Sequence, residues 1–113
     1  MISSPWENTI SDKVAEHVAS YLSDGKYKKH SFLKRGSDER QYSSPGVDLP
    51  ITSIFRTMYG QYKEYHTSLD DFSLVTYNGI KGGFNVAKKA IENLQNKIIP
   101  INKLIHFRIS LNN

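Results

Sequence analysis

The stretch "VDLPITSIFRT", residues 47–57, decides how the fold is read. Leu49, Ile51, Ile54 and Phe55 stand among β-branched neighbours, the composition of a pleated, half-buried strand. Pro50 has no N–H to give to a ladder, so it belongs early in the strand or at a sheet edge. A strand here makes the chain α/β. An all-helical chain, or an exposed 48–56 segment, is the opposite outcome.

On the N-terminal side, "GSDERQYSSPG" (36–46) is a polar loop with glycine at both ends. Before it, "KYKKHSFLKR" (26–35) has only Tyr27, Phe32 and Leu33 as apolar content. Its lysines suit an edge strand, where charge discourages pairing with other chains. Further upstream, Thr9 followed by Asp12 is the cap-plus-carboxylate pattern of a helix start. Ile10, Val14, Val18, Tyr21 and Leu22 then recur on one helical face. "SDG" stops that helix, with Gly25 free to take the left-handed conformation. The spacing predicts a helix over about 10–23, with residues 1–9 an irregular lead-in.

On the C-terminal side, residues 57–76 read as a long loop, and long ordered loops in compact domains are often functional. A second helix follows over about 78–95, with Ile80, Phe84, Ala87, Ile91 and Leu94 on one face. Gly82 and Gly83 weaken its first turn. In the tail, Ile105, Phe107, Ile109 and Leu111 alternate with His106, Arg108 and Ser110, the period of a half-buried strand. The expectation is one α/β domain over 1–113: a small mixed sheet containing residues 48–56, flanked by two helices. Val14, Val18, Leu22, Ile51, Ile54, Phe84, Ile91 and Leu94 are its predicted core.

The totals fit a thin core. The chain has 113 residues, 38% of them hydrophobic, with net charge +4. That charge suits weak attraction to phosphates or acidic surfaces. Cysteine is absent, which excludes disulfides, thiolate zinc sites and cysteine nucleophiles. "MISSPWENTISDK" lacks the basic start and apolar run of a signal peptide. No apolar run approaches the ~20 residues that cross a bilayer. A cytoplasmic chain without membrane contact is expected. "GIKGGF" lacks the spacing of a phosphate loop, and no G-x-S-x-G elbow occurs.

Two loops carry residues with chemistry. "GSDERQY" (36–42) sets Asp38, Glu39 and Arg40 side by side. The plain reading is a solvated turn with internal ion pairs, each worth about 0–1 kcal/mol. "EYHTSLDD" (64–71) sets His66 ahead of Asp70 and Asp71. Its plain reading is a capping box or Asx-type turn built on Thr67 or Ser68. Histidine, aspartate and glutamate are also the residue types that hold zinc, although their spacing matches no compact zinc motif. His17, His30 and His106 have no acidic neighbours that suggest a site.

The run "GSDERQYSSPGVDLPITSIFRTMYGQYKEYHTSLDDF" resembles one region of a bacterial aminopeptidase-like family. That family is related to the di-zinc aminopeptidases and is linked with surface-polysaccharide biosynthesis. "DKVAEHVASYLSDGKYKKHSF" before it and "GGFNVAKKAIENL" after it are also similar, so the resemblance covers about residues 12–94. It is specific in the two loops and looser in the helices, and residues 95–113 form a divergent tail. The resemblance implies a partial three-layer aminopeptidase-like sandwich. It implies that His66 is the last zinc ligand and that Asp70 or Asp71 accepts from its other ring nitrogen. Asp38, Glu39 and Arg40 would lie beside the catalytic centre, and Arg56 of the "RT" pair would contact substrate or neighbouring ligands.

The family's earlier ligands and its general base lie upstream of this region. A catalytic zinc needs about three protein ligands and an open position. The resemblance therefore implies a truncated, catalytically incomplete fragment from the C-terminal part of the domain. Zinc would serve full-length relatives and bind this chain weakly or not at all. The alternative is a small basic interaction module binding nucleic acid or an acidic protein. Lys26, Lys28, Lys29, Lys34 and Arg35 form its patch, with Tyr27 and Phe32 for stacking. A lysine-guarded edge strand explains that patch better, so nucleic acid is not the expected partner. A segment of a larger sheet leaves apolar surface uncovered, which makes a homo-oligomer the expected assembly.

Overall fold

The computed structural model describes residues 1–96. Two helices dominate: α1, Ile10–Leu22, and α3, Tyr77–Gln95. Between them lie a 3-10 turn, Phe32–Lys34, and the single-turn helix α2, Glu39–Tyr42. The predicted strand of residues 105–111 lies outside the described residues.

α1 starts as its sequence dictates. Thr9 Oγ1 accepts from the Asp12 N–H, and the Asp12 carboxylate accepts from the Thr9 N–H. This reciprocal pairing satisfies two of the amides that a helix start leaves without partners. At the other end Asp24 (φ 50°) and Gly25 (φ 77°) both turn left-handed. The Gly25 N–H then returns to the Ser20 carbonyl at 2.8 Å, closing a Schellman-type cap. α3 starts at Thr76, whose hydroxyl accepts from the Gly79 N–H at 3.1 Å.

The centre of the molecule is the N-terminal lead-in. Ile2, Ser3 and Ser4 are fully buried, as is Val18 of α1, and Val14 and Ala15 of α1 are buried beside them. Ile2 exchanges both backbone hydrogen bonds with Ser53 in antiparallel fashion, at 2.9 and 3.0 Å. On its other side it pairs in parallel with His30. Asp12 is 1% exposed and holds this region together. Its carboxylate accepts from the Ser4 N–H at 2.7 Å, the Ser4 hydroxyl at 2.6 Å and the Thr52 hydroxyl at 2.7 Å.

The expected mixed sheet is not there. Each pairing of Ile2 is an isolated bridge, and no strand forms among the described residues. The partial three-layer sandwich falls with it. The backbone of 47–57 shows why. Asp48 takes a left-handed φ of 51°. The Leu49 N–H returns to Tyr42, and the Ile51 N–H returns to Leu49 in a tight three-residue turn. Pro50 offers no donor, and Ser53 is the residue of the stretch that bridges to another segment. The apolar residues of the stretch also miss strict alternation, since Ile54 and Phe55 are consecutive. The expected edge strand over 26–35 is likewise reduced to the bridge at His30 and the 3-10 turn after it.

The predicted core needs the same correction. Val14 and Val18 are buried, but Leu22, Ile54, Phe84, Ile91 and Leu94 are exposed. α3 is amphipathic, as its period indicates, yet none of its residues is buried. α1 packs against α3, and among the described residues no sheet layer lies beneath the pair to cover the remaining apolar faces.

Candidate functional site

The two loops that carry chemistry come together through tyrosines. Glu39, 4% exposed, folds its carboxylate back over its own loop. One oxygen accepts from the Gly36 N–H at 3.0 Å, the Ser37 N–H at 3.2 Å and the Tyr59 hydroxyl at 3.0 Å. Burial pushes the Glu39 carboxyl up, but these donors outweigh it and hold it below its ordinary range. Burial, and then the Glu39 carboxylate, push the Tyr59 phenol up. Glu39 is thus a clamp inside the loop, not a group aimed at solvent.

Tyr59 lies over Gly36 so closely that an added Cβ there would meet a ring carbon at 2.8 Å. On its other side the Tyr59 ring faces Tyr65, with centroids 6.1 Å apart. Tyr65 stacks on His66 at 3.9 Å, the planes 18° apart. A continuous path therefore runs from Glu39 through Tyr59 and Tyr65 to His66, joining the 36–42 loop to the 64–71 loop. Tyr59, Tyr62 and Tyr65 recur every third residue in "MYGQYKEYH", a signal present in the sequence that the reading of 57–76 as plain loop passed over.

His66 is exposed and adopts a left-handed φ of 57°. The turn that presents it is local. The Thr67 hydroxyl donates to the Glu64 carbonyl at 2.8 Å and accepts from the Leu69 N–H at 3.2 Å. Asp71 accepts from the Ser73 N–H at 2.8 Å, and its hydrogen bonding with Ser73 holds the carboxyl below its ordinary range. Asp71 therefore shapes an Asx-type turn. Asp38, Arg40 and Asp70 are exposed.

Arg56 points elsewhere. Its guanidinium donates to the Asn78 carbonyl at 3.3 Å and rests on the first turns of α3. A Cβ added at Gly82 would stand 3.2 Å from its Nη1, so the missing side chain provides the seat. Among the described residues no three His, Cys, Asp or Glu side chains gather as a metal-binding group. His66 is thus presented by the loop but has no converging ligand set among those residues.

The profile of the family described as "Domain of unknown function (DUF4910)" matches residues 1–97. The chain belongs to that family. A Clostridium acetobutylicum protein, provisionally named a polysaccharide biosynthesis protein with aminopeptidase-like domain, is 34% identical over 91 residues. The match covers 80% of this chain and 20% of that relative, so the DUF4910 chain spans about a fifth of the relative's length. No solved structure matches. No helix among the described residues is long and apolar enough to cross a membrane.

Proposed function

We propose that this DUF4910 chain is a catalytically incomplete part of a zinc aminopeptidase-like domain, contributing one zinc ligand, His66, and the loop wall around it. The observation that carries the reading is the Glu39–Tyr59–Tyr65–His66 path, which sets side by side the two loops that the resemblance pairs. The similarity to a protein with an aminopeptidase-like domain supports it. Tyr65 fixes the plane of the imidazole, and the turn built on Thr67 holds its backbone. Glu39 and Tyr59 keep the neighbouring loop in place, and Asp38 and Arg40 are the exposed groups that face substrate. The donor set here does not amount to a closed zinc centre, so hydrolysis requires ligands and a base beyond these loops. The chain acts in the cytoplasm in this reading.

Calorimetric zinc titration of the wild type and of His66→Ala tests the proposal, with turnover of aminoacyl-nitroanilides measured in parallel. Weak zinc binding lost in His66→Ala, with no turnover, is the expected result. Tight stoichiometric zinc, zinc-dependent turnover, or zinc binding unchanged in His66→Ala would overturn it.

A further inference from the structure

We draw no further inference here: the strongest candidate, the exposed apolar stripe of Tyr77, Ile80, Phe84, Ile91 and Leu94 along α3, carries none because nothing in the structure shows what covers it, the cations on its flank, Lys81 and Lys88, being already placed on Tyr77 and Glu92 of the same helix.

Discussion

Replacing Asp12 with alanine should destabilise the chain more than any other single carboxylate removal. Asp12 is 1% exposed and accepts from both backbone and hydroxyl donors of Ser4 and Thr9 and from the Thr52 hydroxyl. Alanine leaves the Ser4 N–H buried without an acceptor, which costs about 1–3 kcal/mol. It also removes half of the capping box, at about 0.5–2 kcal/mol. The hydroxyls can partly re-pair, because Ser4 Oγ already lies 3.2 Å from Thr9 Oγ1 and Thr52 Oγ1 lies 3.1 Å from Ser11 Oγ. Relief of the carboxylate's desolvation offsets some of the loss. The net expectation is about 3 kcal/mol, a large share of the roughly 5–15 kcal/mol that holds a domain together.

Urea unfolding followed by helical circular dichroism measures this directly. With a slope of about 1–3 kcal/mol/M, the midpoint should fall by about 1–3 M. Asp12→Asn, which keeps volume and one acceptor, should cost about half as much. The exposed Asp70→Ala serves as control. A loss for Asp12→Ala under about 1 kcal/mol, or equal to that of the control, would refute the reasoning. The same residue sets an acid limb. Burial raises its carboxyl, but hydrogen bonds from Ser4, Thr52 and Thr9 win and hold it far below the ordinary carboxylate value. A depressed folded-state value means that its stabilisation is complete above the unfolded carboxylate value near 3.8. It is lost as pH falls below that value toward the folded one. Wild type should therefore lose stability below about pH 4 more steeply than Asp12→Asn.

Gly36→Ala should cost about 1–3 kcal/mol, because the new Cβ displaces the Tyr59 ring and with it the bond to Glu39; denaturation followed by tyrosine absorbance reads both. His66→Gly should be more stable than His66→Ala by about 1 kcal/mol in urea unfolding, since alanine keeps a left-handed φ of 57° at a side-chain cost. Lys29→Ala should shift the urea-derived stability by less than about 1 kcal/mol, because its ion pair with Glu16 is exposed on both sides.

The helices were legible because their signals are local. Thr9 and Asp12 meet within one turn, Gly25 ends α1, and the spacing of Ile80, Phe84 and Ile91 reports α3 without reference to anything else. The turns around Thr67 and Asp71 were legible for the same reason, as side chain and backbone lie within three residues. The candidate site was half legible: His66 and the 36–42 loop could be named, but not the tyrosine path between them. That path depends on Tyr59 reaching back 20 residues to Glu39.

The sequence by itself determined where α1 and α3 run, how they are capped and which residues line their apolar faces. Tertiary structure alone decided what those faces meet. Whether "VDLPITSIFRT" becomes a strand depends on a partner chain, and Ile2 of the supposed lead-in offers it a single bridge at Ser53. Burial of Asp12 likewise depends on Ser4 and on Thr52, 40 residues away. Helix signals are written into neighbouring residues, whereas strand pairing, buried charge and loop contact are settled by residues far apart in the chain, whose meeting no local pattern records.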